Sequence, residues 1–428
     1  MVIAMVKQIA ASILFFSAYY VILTRARRTS VKVFLLGLIA AVLKLSEGLT
    51  TENISHVVDF NTIGLLLGMM IIVSVLKSTG FFQMASVYAV RLGKGDIKRT
   101  VSLLVLFIAV LSAFLDNVTT LLIFAPILFL VSDAAEVDPS KVLVLGVIAS
   151  NVGGMATMIG DPPNIVIGNA SGLSFVSFIV HLAPMAFLML LILLRMLSRV
   201  VSVDQSSEAG LKRLASTNPR EAITDKKLLL KIATIFAATV FAFAFHDVLE
   251  VDIAFIALLG AALSLIVANK SFEDVAKEVE WDTLFFFMGL FSLTHVMHEL
   301  GLLSKFASLI SMIHSRTLLL VVLVWLSAVM SSLLSAVPTT VVLVPVVKYL
   351  IELGYSPHLW WAIALGVGLG SNLTPIGAAV NIVGISLLKK FTGKSVSFGE
   401  FFHTSFAWVL TGLTIASLYV IVMAFVGW

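Results

Sequence analysis

Apolar residues in this chain come in runs of about 15–25, separated by short polar breaks. A helix needs about 20 residues to cross a hydrocarbon core ~30 Å thick, so runs of this length predict membrane spans. They fall near residues 2–23, 31–46, 61–79, 141–167 and 173–198, then near 228–246, 253–268, 282–299, 359–385 and 401–427. The first run carries only Lys7 and lacks a convincing cleavage site, which makes it a retained span. Between the third and fourth span of each half lies a different pattern. Residues 101–115 and 118–131 are two apolar runs that meet at Asp116-Asn117 with no loop between them. Each rises only about 22 Å as a helix, so a re-entrant hairpin is expected rather than two spans. Its counterpart is 317–350, with its tip at Ser335-Ala336.

The chain repeats itself. Val58-Asp59-Phe60-Asn61-Thr62, followed by Gly68 and Gly80, recurs 221 positions later as Val279-Glu280-Trp281-Asp282-Thr283, followed by Gly289 and Gly301. Ser112, Leu115, Val118, Thr120 and Pro126 recur at an offset of 219 as Ser331, Leu334, Val337, Thr339 and Pro345. Residues 153–166 match 370–383 at an offset of 217, with seven identities in fourteen positions. Biased composition does not produce that, and a repeat determines how the rest is read. The expected fold is an all-α polytopic membrane protein of two inverted repeats, each of five transmembrane helices plus one re-entrant hairpin, with broken helices at the site. The expected organisation is a first repeat, 1–200, holding the hairpin 101–131, and a second repeat, 228–428, holding the hairpin 317–350. A hydrophilic cytoplasmic linker, 203–227, joins them.

Charge supplies an orientation. Five spans plus a hairpin make an odd number of crossings, so the halves must be inverted. With both termini outside, the cytoplasmic segments 25–32, 77–99, 132–141, 195–231, 269–280 and 389–400 hold 23 of the 28 Lys and Arg residues. That is the asymmetry the positive-inside rule demands. The same accounting removes nucleic acid as a partner, because the formal charge of +4 lies in short loops between spans. Composition then closes other routes. Sixty per cent of the 428 residues are apolar, 12% are charged and mean hydropathy is +1.09, too much apolar surface for a soluble core. The chain has no cysteine, so it has no disulfide, thiolate metal site or cysteine nucleophile. No cofactor is expected. A His-Glu-x-x-His or Gly-x-Ser-Gly motif is absent, and Met158 stands where a Gly-x-Gly-Asp protease needs its first glycine, which argues against an intramembrane enzyme.

Irregular backbone at membrane depth is tolerated only where protein or a watery cavity satisfies it. Beyond the hairpin tips, the fourth span of each half is broken, at Gly153–Asn164 and at Gly370–Asn381. Half-helix ends and freed carbonyls at such breaks suit small ions, so the site is expected where the two tips and two breaks meet. Asp116, Asn117 and Asp161 are the candidates for the coupling ion, with sodium conceivable at Asp116 and Asn117, since a carboxylate at this depth is a functional signal. Both aspartates also suit plain helix caps, and Asp161 before Pro162 suits one better. Thr119, Thr120, Thr157, Gly160, Asn164, Ser335, Thr339, Asn372, Thr374, Gly377 and Asn381 are the substrate candidates. Any of the polar ones alone could serve helix packing; their recurrence in both halves favours a site. Trp360-Trp361 are expected to be interfacial anchors.

The segment Ser112–Thr120 with Pro126, followed by Gly160-Asp161-Pro162-Pro163-Asn164, resembles the ion transporter superfamily. Within it the likeness is to the branch of arsenical-pump membrane proteins, the melanosomal P protein and sodium/proton antiporters, which is related to divalent anion–sodium symporters. The resemblance covers essentially the whole chain. It implies a scaffold, 1–80 and 228–300, a mobile transport part, 98–199 and 316–428, a homodimer in the lipid bilayer and elevator-type alternating access. Ser335-Ala336 departs from the Asp-Asn pair that many of these proteins carry at the second tip. The function expected is a secondary active transporter of a small inorganic or organic anion or oxyacid, coupled to protons or sodium, in the cytoplasmic membrane of a prokaryote. The alternative is a sodium-coupled di- or tricarboxylate symporter; an intramembrane enzyme, argued against above, is the reading from another class, and a channel is the fourth.

Overall fold

A computed structural model describes residues 2–24, 28–200 and 219–426. Most of the proposed 203–227 linker therefore lies outside the described residues. The chain is helical throughout the described part, and its longer helices fall into two series of nine. The first comprises α1 (Val2–Leu23), α2 (Thr29–Val42), α3 (Phe60–Ser78), α4 (Phe81–Gly93), α5 (Ile97–Ser112), α6 (Asn117–Ala134), α7 (Pro139–Met155), α8 (Pro162–Ser171) and α9 (Phe175–Val200). The second comprises α10 (Lys226–Phe243), α11 (Ile253–Ala268), α12 (Trp281–Glu299), α13 (Leu302–Ser311), α14 (Arg316–Leu334), α15 (Ala336–Glu352), α16 (Leu359–Gly370), α17 (Ala379–Thr392) and α18 (Phe398–Val426).

Local chemistry places the ends. Asp96, Asp116, Asp138 and Ser315 each accept a backbone N–H of the helix they precede, at 2.8, 2.9, 3.2 and 3.3 Å. Gly80 and Gly301, at φ 83° and 72°, end α3 and α12 in the left-handed region and turn the chain into α4 and α13. The turn between α12 and α13 is a bend of 71°. Short helices α4 and α13, which the apolar runs did not predict, bury one face each, with Phe82, Ala89 and Val90 in the first and Leu303, Ala307 and Ile310 in the second.

Two expectations need correction. The hairpin helices are longer than the apolar runs suggested, because polar residues at the ends stay helical. At 18 and 19 residues, α6 and α14 are long and apolar enough to cross a membrane by length and composition. Length therefore does not mark these helix pairs as hairpins; Ser335 alone stands between α14 and α15, and four residues, 113–116, between α5 and α6. Trp360 and Trp361 are not interfacial anchors. Each is 4% exposed, and Trp361 stacks on His181 at 4.4 Å.

The two series interlock through glycines. α3 packs along α11, where a Cβ at Gly68 would meet the Ala257 backbone at 2.6 Å. α12 packs along α2, where a Cβ at Gly289 would meet the Phe34 backbone at 2.7 Å. Lipid gives little driving force for helix association, so close backbone approach of this kind supplies the dispersion contacts instead. The broken-helix continuations also cross over, with α8 against α15 and α17 against α6.

Candidate functional site

Two breaks are built from closely similar bonds. In the first, the Thr157 hydroxyl donates to the carbonyl of Ala113 at the end of α5. Asn164 at the head of α8 donates back to the carbonyls of Met155 at 3.2 Å and Thr157 at 2.8 Å. In the second, Thr374 donates to the carbonyl of Ser332, and Asn381 donates to the carbonyls of Ser371 and Thr374, both at 2.8 Å. The carbonyls of Ala113, Met155, Thr157, Ser332, Ser371 and Thr374 thus each accept from a side chain. Gly160 and Gly377 permit the tight path: an added Cβ would meet Ser112 O at 2.6 Å at the first and Ser371 O at 2.3 Å at the second.

Between the breaks lies an asparagine hub. Asn151 in α7, 1% exposed, donates to the side-chain oxygens of Asn372 at 2.9 Å and Asn381 at 3.0 Å. It accepts from Asn117 of the first tip at 3.5 Å. The Asn117 oxygen in turn accepts from Ser112, and Ser150 donates to the Asn117 carbonyl at 2.9 Å. The network is closed on itself: each of these amide oxygens already has a donor.

In front of it opens a cavity of about 390 Å³. Asp116, Asn117 and Asp161 line it from the first series, Ser335 from the second tip, and Glu280 and Asp282 from the head of α12. No Lys, Arg or His is among its described lining residues. Asp116, Asp161 and Glu280 thus share one cavity wall. Asp116 also borders a second, far smaller cavity, about 20 Å³, with Thr119 and the apolar residues Leu66, Met69 and Ile159. It is the only described residue on both.

Of the candidates named from the sequence, Asp116, Asn117, Asp161 and Ser335 line the main cavity, and Thr119 the smaller one. Thr157, Gly160, Asn164, Asn372, Thr374, Gly377 and Asn381 stand behind as the frame of the breaks. Thr339 bonds its own helix at Ser335 O, and the buried Thr120 hydroxyl has no partner among the described residues. The capping expectation is reversed: Asp116 caps α6 through the Thr119 amide, whereas Asp161 caps nothing with its side chain. Glu280 and Asp282 entered the sequence reading only as markers of the repeat, and Asn151 not at all, because glycine, Gly368, stands at its matching position.

The chain matches the family described as CitMHS, citrate transporter, over residues 19–366 and 308–428. It is 34% identical over 421 residues to a protein of Mycobacterium tuberculosis named an uncharacterized transporter, covering 96% of this chain and 97% of that one. The 46 kDa membrane protein of Mycobacterium leprae is 35% identical over 372 residues, 85% of this chain and 86% of that protein. The human P protein is 33% identical over 482 residues, 92% of this chain and 57% of that longer protein. Among solved structures, the Alcanivorax borkumensis YdaH transporter shares the fold, with a TM-score of 0.63 at 17% identity over 98% of this chain and 99% of that one.

Proposed function

Starting from a chain that belongs to the CitMHS family of the ion transporter superfamily, we propose that this membrane transporter moves a small anion or oxyacid together with protons that its cavity carboxylates take up. It is a transporter and not an enzyme. The observation that carries the proton reading is the composition of the cavity wall: four carboxylates and no basic side chain among its described residues. A bare anion gains nothing there. An anion neutralised by protons, or an oxyacid that is neutral already, enters without that repulsion. Sodium is the weaker coupling ion. A hard cation needs several oxygen ligands, yet Asn372 and Asn381 do not line the cavity, and the Asn117 oxygen there already accepts from Ser112.

The likeness to a family described as citrate transporters favours a carboxylate as the second reading. A polycarboxylate meeting Asp116, Asp161, Glu280 and Asp282 would have to arrive with its charge balanced by protons or a cation. The inverted-repeat reading is supported by the paired bonds at the two breaks and by the reciprocal packing of α3 on α11 and α12 on α2. Coupling is assigned to Asp116 and Asp161. The charge count puts both termini outside, and the cavity, lined by Thr29, Ser30 and Glu280 from segments on the cytoplasmic side of that scheme, then faces inward. Elevator movement of the hairpins and broken helices against the paired α2, α3, α11 and α12, in a homodimer, completes the proposal.

The test is uptake into proteoliposomes of a panel of oxyacids, inorganic anions and carboxylates under imposed proton or sodium gradients. Accumulation of a panel member driven by the pH gradient is expected. Accumulation driven by sodium alone would overturn the coupling assignment.

A further inference from the structure

The motif that opens the third helix of each series is engaged in one copy and disengaged in the other. In the first, Asp59 caps α3 through the Thr62 amide at 3.0 Å and accepts from the Thr62 hydroxyl at 2.5 Å. Asn169, in the last turn of α8, reaches across and donates to Asp59 at 3.2 Å and to the Thr62 hydroxyl at 2.8 Å. Its own side-chain oxygen accepts from Asn61 at 3.0 Å, and Asn61 accepts from the Ala254 amide at the head of α11 at 3.1 Å. The broken-helix continuation is thereby tied to α3 and through it to the other series.

In the second copy, 221 positions on, stand Glu280, Asp282 and Thr283, and the position matching Asn169, 217 further on, is Ser386 of α17. None of the equivalent bonds across the helices is present among the described residues. Glu280 accepts only from its neighbour Thr283, at 3.1 Å, and caps no amide. Ser386 is exposed and bonds back to the Ile382 carbonyl at 2.9 Å. The cavity occupies the space between α12 and α17, bounded by Glu280, Asp282 and Thr283 on one side and Ala379 and Ile382 on the other.

We propose that the two motifs are the two gates of alternating access, latched one at a time: Asp59, Thr62 and Asn169 close one end in the state seen here, and Glu280 and Thr283 with Ser386 close the other when the first opens. The proposal rests on the transporter reading above. Two states interconvert readily only if bonds broken at one end are replaced at the other, and matched motifs at the two ends meet that need. A latched carboxylate has its lone pairs in use, whereas one at an open mouth is available to an arriving proton or cation.

The chain has no cysteine, so paired thiols can report both gates in the full-length protein in membranes. One pair is Asn61→Cys/Asn169→Cys, which leaves Asp59 in place; the other is Glu280→Cys/Ser386→Cys; a short bifunctional thiol reagent joins each. The first pair, which itself lacks Asn169, is expected to cross-link and so trap its gate closed, and the second, with Asn169 intact, to cross-link in a minor fraction. Closing either link first should suppress the other several-fold in the four-cysteine protein, and Asn169→Ala should raise cross-linking at Glu280→Cys/Ser386→Cys several-fold. Both links forming in one molecule, or the second never forming in protein that elutes as a single folded species, would overturn the gate assignment. Neither outcome touches the transport reading, because exclusivity of the links is read with no substrate and no gradient.

Discussion

Asp116 carries the sharpest residue-scale consequence, because it does two things that substitution can separate. It caps α6, and asparagine caps about as well as aspartate. Asp116→Asn should therefore fold and melt like the parent protein while losing gradient-driven accumulation, with exchange of substrate at equilibrium retained. Asp116→Ala should in addition lose about 1 kcal/mol of stability through the missing cap. Asp161, which caps nothing, should show the transport defect on Asp161→Asn with no change in melting temperature. An Asp161→Asn protein that accumulates substrate at the parental rate would remove it from the coupling pair. Ser335 offers a different handle. Its φ of 76° and ψ of 156° lie in a region that essentially only glycine occupies without strain. Ser335→Gly should raise stability by about 1 kcal/mol in a thermal melt, and Ser335→Ala, which keeps a Cβ, should not.

Elements explain why some of this could be read from the sequence and some could not. The breaks were legible because glycine, threonine and asparagine recur there at a fixed offset, and the structure gives each pair the same bond, Thr157 to Ala113 and Thr374 to Ser332. Asn151 was invisible because nothing recurs with it in the sequence: glycine, Gly368, stands 217 positions on. Helices α4 and α13 were missed because their apolar faces are too short to register as runs; only Gly80 and Gly301 hinted at them. Trp360 and Trp361 misled because a tryptophan pair at a span end looks the same in sequence whether it meets lipid headgroups or, as here, other helices. At this scale the prediction concerns the glycine contacts. Gly68→Ala and Gly289→Ala each place a Cβ within 2.6–2.7 Å of a facing backbone, where overpacking costs about 1–3 kcal/mol. The double variant should lose roughly the sum in detergent melts, since the two contacts lie on different helix pairs. Little loss in either would mean that the interlock is looser than the geometry indicates.

For the whole molecule the account joins an orientation, a cavity and a coupling chemistry. Orientation rests on lysine and arginine counts, and labelling of single cysteines introduced near Arg91 and Lys226 should succeed only from the cytoplasmic side; labelling from outside would contradict it. The coupling chemistry rests on the acidic wall that unites Asp116, Asp161, Glu280 and Asp282, residues from distant parts of the chain. Its most direct test is internal pH, followed with a trapped indicator dye in proteoliposomes that hold the protein with no gradient imposed, while a transported member of the substrate panel is added outside. The account predicts that substrate entry moves protons across the membrane with it, and that Asp116→Asn abolishes the proton movement. Substrate flux with no change in internal pH, or an unaltered pH response in Asp116→Asn, would contradict it.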